Sequence, residues 1–236
     1  MNNIEISLGN VIDFQHPNAK SLKRVLILGN TKNFFGKAWE EIYKQNENDL
    51  NNICFLRDLV ERKTDVVILG ESNGVDEECK YYMNNIKEFG ELGIDTKYIH
   101  RFFKFYATKS DSDYINILDE LKRRNMKFDY IIQNPPYAGN LHIDIFNKTL
   151  DLLDPKGKMT IIEPATWLIN VRHNGKAKMY DALKARLEGH VYKVVIENLN
   201  NEFNIDSFLP LSITYIDMDK MFDSIDFTCF GEKKSC

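Results

Sequence analysis

The 236-residue sequence has little net charge, few cysteines and no long apolar run, and each shortage closes off a class of protein. No stretch approaches the ~18 consecutive apolar residues that a membrane-spanning helix requires. The N-terminus, MNNIEISLGN, lacks the basic region and apolar segment of a secretory signal. A cytoplasmic location without a membrane partner is the expectation. The four cysteines, Cys54, Cys79, Cys229 and Cys236, are scattered, with no CxxC pair and no histidine at ligand spacing. Neither a disulfide framework nor a zinc site is indicated, and no metal is expected. A formal charge of −4 argues against avid, non-specific attachment to nucleic acid, which ordinarily shows as a basic domain. It leaves room for local basic patches.

What is present is the composition of a globular domain: 43% hydrophobic and 28% charged residues, in a length that suits one large α/β unit. Apolar, β-rich runs at 24–28, 65–69, 96–103, 128–132, 158–162, 191–196 and 211–216 read as strands. Amphipathic stripes lie between most of them: Cys79, Met83 and Ile86; Tyr114, Ile117, Leu118 and Leu121; Ile145, Phe146, Leu150 and Leu153; Tyr180, Leu183 and Leu187. Each stripe suits core packing against a sheet. Strands alternating with helices predict a mostly parallel sheet covered on both faces, with a ligand crevice at the carboxyl ends of the strands.

One strand ends unusually. Residues 128–137, FDYIIQNPPY, run from an apolar strand into Asn134, Pro135, Pro136 and Tyr137. Consecutive prolines have fixed φ and no N–H, so they stop the strand and aim the carbonyls of Asn134 and Pro135 in set directions. The Asn134 amide adds a side-chain acceptor, and Tyr137 adds a face on which a planar group can stack. Two acceptors beside an aromatic platform suit a flat substrate bearing an amino group.

FDYIIQNPPY resembles the catalytic motif of S-adenosylmethionine-dependent amino-methyltransferases, above all the adenine-N6 DNA methyltransferases with their (D/N/S)PP(Y/F) signature. The resemblance implies a Rossmann-like class I methyltransferase fold with a seven-stranded, mostly parallel sheet, helices on both faces and an antiparallel last strand. It implies that Asn134 and Pro135 accept hydrogen bonds from the target amine, that Pro136 keeps the turn rigid, and that Tyr137 stacks on an extruded adenine. The implied partner is double-stranded DNA, in the setting of DNA methylation or restriction-modification. Methyl transfer from a sulfonium depends on in-line positioning more than on a general base, so the lack of a nucleophile constellation is no objection. The histidines are isolated; His100 falls in an aromatic strand, and His142, at a helix start, reads as ordinary surface.

The segment after the motif, residues 142–170, also resembles the family's next unit: helix, turn, strand, then a loop with a proline and an aromatic. Asp154, Pro155, Lys156 and Gly157 have turn chemistry of their own. Glu163, Pro164 and Trp167 then leave the strand on the crevice side, where Trp167 either flanks a bound nucleotide or caps the core. Arg172, Lys176 and Lys178 follow in a Gly-containing loop on that rim and are the candidate phosphate contacts. A second basic cluster, Lys122, Arg123, Arg124 and Lys127, reads as a helix end, where cations suit the dipole.

The cofactor half admits two registers. A sulfonium cofactor with an adenosine tail needs a glycine turn after the first strand and an acid at the end of a neighbouring strand. DVVILGESNGVDEE resembles the family's glycine pattern with Gly70 and Gly74 outermost and Ser72 between them, and this register is favoured. Alternatively, RVLILGNTKNFFG supplies the first strand and Gly29, DVVILGES becomes the second strand, and Glu71 becomes the ribose acid.

Residues 1–236 are expected to form one methyltransferase domain, with 65–217 the best-matched core and 1–60 either an extension or a first βα unit. No separate target-recognition domain is evident, so a partner chain is a candidate source of specificity. The rival readings are a methyltransferase for RNA adenine or protein glutamine, and a catalytically silent domain of this fold that binds nucleic acid or a partner.

Overall fold

A computed structural model of the chain describes residues 22–29, 59–71, 84, 86, 87, 90, 91, 93–97, 99–168, 177–197, 210–230 and 232–235. The strands are β1 (Arg24–Gly29), β2 (Asp65–Glu71), β3 (Phe103–Thr108), β4 (Phe128–Asn134), β5 (Leu153–Pro164), β6 (Val191–Glu197), β7 (Leu211–Asp217), β8 (Asp226–Cys229) and β9 (Glu232–Ser235). Among the described residues, the helices α1 (Asp111–Arg123), α2 (Leu141–Leu152) and α3 (Ala177–Leu187) run between β3 and β4, β4 and β5, and β5 and β6.

The strands form one sheet in the order β3-β2-β1-β4-β5-β7-β6-β8-β9. β1 is parallel to β2 and β4, β2 to β3, and β4 to β5, whereas β7 is antiparallel to both β5 and β6. The first seven strands realise the expected sheet, including its antiparallel last member. It is wider than expected because β8 pairs with β6 and β9 closes a hairpin on β8. Those two strands, DFTC and EKKS, are short and polar and carry no apolar run by which to recognise them.

Near-continuous apolar runs such as RVLIL form strands buried on both faces, as in other parallel sheets. Alternate residues serve opposite layers. Val25, Ile27, Val66, Ile68, Ile132 and Ile162 pack with Leu59, Val60, Ile86 and Ile99 on one side. Leu26, Leu28, Val67, Leu69, Ile131 and Ile161 pack with Tyr114 and Leu118 of α1, Ile145 and Phe146 of α2, and Leu183 and Leu187 of α3 on the other. No described helix is long and apolar enough to cross a membrane.

Three local expectations are corrected. The strand expected at 96–103 lies at Phe103–Thr108, because Ile99–Arg101 closes a tight turn, with the Phe102 N–H donating to the Ile99 carbonyl at 2.9 Å. His100 is therefore an exposed turn residue. Residues 154–157 keep their turn character, but as a bulge inside β5: Phe128 pairs with Leu153 and Tyr130 already with Lys158. The third correction, to His142, belongs to the site below. The cluster at the end of α1 is internally neutralised, as a helix end would be: Lys122 pairs with Asp151 at 2.8 Å, and Arg123 and Arg124 both pair with Glu120.

Candidate active site

Parallel pairing sets the carboxyl ends of β1, β2, β4 and β5 along one edge of the sheet, where ligand crevices of such sheets form. Gly29 ends β1 directly opposite Asn134, the last residue of β4. Its φ is +84°, and a Cβ there would fall 1.9 Å from the Asn134 carbonyl oxygen. Only glycine tolerates both the conformation and the approach.

β4 delivers Asn134 to this edge with 6% of its surface exposed. Pro135 is buried and Pro136 and Tyr137 are half-buried, so the two prolines turn the chain back over the strand ends. The Tyr137 hydroxyl donates to Asn134 Oδ1 at 2.5 Å and approaches the Ile162 carbonyl oxygen at 3.4 Å. Its ring meets that of His142 edge-on, with centroids 6.2 Å apart. Burial, and secondarily the Glu163 carboxylate, push the phenol's ionisation far above its ordinary value. The hydroxyl is a permanent donor across the physiological range.

His142 is corrected from surface to interior: it is 5% exposed in the first turn of α2, because the turn after β4 folds that helix onto the strand ends. Glu163, near the end of β5, is fully buried, and neither carboxylate oxygen has a hydrogen-bond partner among the described residues. Burial pushes its carboxyl well above the ordinary carboxylate range. Gln133 is likewise fully buried with neither amide atom bonded. A glutamine and a glutamate within apolar strands are the signal, visible in the sequence, that marks Gln133 and Glu163 as buried polar positions.

The four motif residues at 134–137 and Gly29 thus meet at one point. Gly70 and Glu71 lie on the far side of β1 from the motif, at the end of β2. The sheet order is that of the second register, with RVLILG on the central strand. Gly70 does not open a turn: it is paired with Ala107 inside β2, and its carbonyl accepts from Thr108 Oγ1 at 3.0 Å. Ser72 and Gly74 lie outside the described residues, as do Arg172 and Lys176 and the Lys178 side chain.

Of the two readings open for Trp167, the core-capping one describes its surroundings. It is 2% exposed, its indole N–H donates to Ser212 Oγ at 3.3 Å, and its ring stands edge-on to Phe146 at 5.9 Å. The turn at Ala165–Trp167 rotates the indole inward, where a large aromatic body with one satisfied N–H is well accommodated.

No family model and no curated protein matches the chain. Solved structures do. A putative O-methyltransferase from Klebsiella pneumoniae aligns at TM-score 0.50 and 9% identity, over 92% of this chain and 82% of that one. A chain of a type I R-M system aligns at 0.52 and 12%, over 94% of this chain and 43% of that one. The M protein of the type I restriction enzyme EcoKI aligns at 0.51 and 10%, over 88% and 44%. Likeness at such low identity speaks for architecture, and with the strand order it establishes that the chain has the Rossmann-like fold of class I methyltransferases.

Proposed function

We propose that the chain is an S-adenosylmethionine-dependent methyltransferase acting on the exocyclic amino group of adenine in DNA. The observation that carries this reading is the contact of Gly29 with Asn134. A side-chain-free approach on the central strand adjoins an amide acceptor already engaged by an O–H donor.

The residues fit the cofactor. Gly29 lets the end of β1 close on the Asn134 backbone with no Cβ between them, and Glu71 ends the adjacent strand, where a carboxylate would accept from ribose hydroxyls. When bound, S-adenosylmethionine supplies an electrophilic methyl group on a sulfonium. The chain's own task is to orient the amine. Asn134 Oδ1 and the Pro135 carbonyl accept its two N–H groups, holding the nitrogen lone pair in line with the methyl group. Tyr137 gives the flipped base a stacking face. This assigns Gly29 and Glu71 to the cofactor in preference to Gly70, Ser72 and Gly74.

The aligned chains of the type I systems are about twice as long as this one, which spans 43% and 44% of them. One of these neighbours comes from the assembled complex of a type I R-M system, which supports a partner chain in target recognition, with Arg172, Lys176 and Lys178 as rim contacts to phosphate.

Calorimetry with S-adenosylmethionine, followed by labelled-methyl transfer to duplex DNA, RNA and peptide, tests the reading. Methylation of adenine in DNA is expected; no binding at millimolar cofactor would sink it, and transfer to RNA or a glutamine peptide alone would replace the substrate. Asn134→Ala is expected to lower transfer at least a hundredfold while cofactor affinity stays within about threefold, since the amide acts on the amine rather than on the cofactor.

A further inference from the structure

An asparagine side chain is an ambiguous partner for an amine. It ends in an oxygen that accepts and an NH2 that donates, and the two exchange places when the amide turns over. Only one orientation can receive an N–H; the other sets donor against donor. Asn134 is almost wholly buried, so bulk water does little to decide between them.

The neighbouring phenol decides. Its oxygen lies 2.5 Å from the end of the Asn134 side chain. That length belongs to an O–H···O bond and is too short for an N–H···O bond, so the atom facing the phenol is Oδ1. The hydroxyl's second acceptor, the Ile162 carbonyl, stands at 3.4 Å, beyond the usual O–H···O range, and competes weakly for the proton. Burial keeps the phenol protonated, so the donor is always present. An amide oxygen has two lone pairs, of which the phenol takes one. The other remains for the target.

We propose that the Tyr137 hydroxyl is a specificity-determining group: by holding Asn134 Oδ1 it fixes the polarity of the site, which then accepts a target amine and rejects an oxo group of the same shape. This rests on the methyltransferase reading for the identity of the target, but the orientation of the amide is a property of the chain alone. Turning Asn134 over would replace the phenol's near acceptor with an NH2 and leave its proton only the distant Ile162 carbonyl. Without the hydroxyl that cost disappears, and the amide follows whichever base is offered.

Two measurements test this. Duplexes that differ only in adenine or hypoxanthine at the methylated position, each opposite an abasic site so that unpairing costs the same, are titrated against the full chain. The parent should bind the adenine duplex at least about tenfold more tightly, because a 6-oxo group meets an acceptor where the 6-amino group donates. Tyr137→Phe, which keeps the ring, should reduce that preference about fivefold, the scale of one hydrogen bond. A merely structural hydroxyl would weaken both duplexes alike, and an unchanged preference overturns the proposal.

The second measurement needs no substrate. With asparagine labelled in its side-chain amide, nuclear Overhauser contacts from the Asn134 Nδ2 protons, assigned by their loss in Asn134→Ala, report which end of the amide faces the ring. Those contacts should be weak in the parent and stronger in Tyr137→Phe, where the amide is free to turn over. Contacts unchanged by the substitution overturn the role of the hydroxyl. Their gain without methyl transfer to any substrate overturns the methyltransferase reading alone.

Discussion

Gly29 and Asn134 constrain each other more tightly than any sequence motif reveals. Gly29→Ala must accommodate a Cβ 1.9 Å from a backbone oxygen and a φ of +84°, and neither neighbour is a flexible side chain. Positive-φ strain and overpacking together should cost about 3 kcal/mol or more, read as a lower urea midpoint with unchanged slope. An alanine variant as stable as the parent would show that the β1 end is not held against the motif. Glu163 makes a different mark on stability. Burial raises its folded-state value above the ordinary 4.5, so the native protein holds a proton that the unfolded chain has released. That carboxyl's contribution is favourable below pH 4.5 and diminishes as pH rises, until the folded carboxyl itself ionises. The urea midpoint of the parent, measured from pH 4.5 to 8, should therefore fall relative to that of Glu163→Gln. A constant difference would mean that the buried carboxyl is unshifted. Residues 134–137 were legible in the sequence because proline chemistry is local. The burial of Glu163, His142 and Trp167 was not, because it is decided by which distant segments close over them.

Among the elements, α1 shows how a local signal fixes a boundary. The Asp113 carboxylate reaches back to the N–H groups of Lys109 at 2.8 Å and Ser110 at 3.1 Å, satisfying donors that the helix leaves open. The Lys109 bond foremost holds Asp113 below its ordinary 3.8. For a depressed carboxyl the stabilisation is present above the unfolded value and is lost as pH falls through the folded one. Asp113→Asn should accordingly lower the unfolding midpoint at pH 7 and narrow its gap to the parent below pH 3.8; a gap that persists in acid would place the effect outside the carboxylate. Strand identity was legible to different degrees. β1, β2 and β4 declare themselves as apolar runs, yet RVLILG and DVVILGE read alike, a buried strand ending in glycine. Which of them is central depends on pairing between segments forty residues apart, Arg24 with Asp65, and that is a long-range choice to which local composition is blind. The same blindness moved β3 and hid β8 and β9, whose polar residues give no period to follow.

For the whole molecule, the proposed cofactor site at the ends of β1 and β2 would link ligand binding to folding. A ligand resting on Gly29 and Glu71 spans two strands whose pairing, Gly29 with Asn134 on one side and Leu28 with Leu69 on the other, runs through the centre of the sheet. It binds the folded chain and not the unfolded one. At a hundred times its dissociation constant it should stabilise the protein by about 2.7 kcal/mol. For a chain of this length that is a rise in Tm of roughly 5–10 °C, measurable by calorimetric scanning with and without S-adenosylmethionine. The variants divide by strand. On the proposed assignment, Asn134→Ala should keep the full rise, because its amide would serve the amine; Glu71→Ala should lose at least half, because the acid at the end of β2 would be the ribose partner. A full rise in Glu71→Ala would remove β2 from the cofactor site and return the choice of glycine turn to experiment. Duplex DNA added to the cofactor-bound parent should raise Tm further, and that increment should be smaller in Asn134→Ala. The two increments thus separate the cofactor strands from the substrate strand within one sheet.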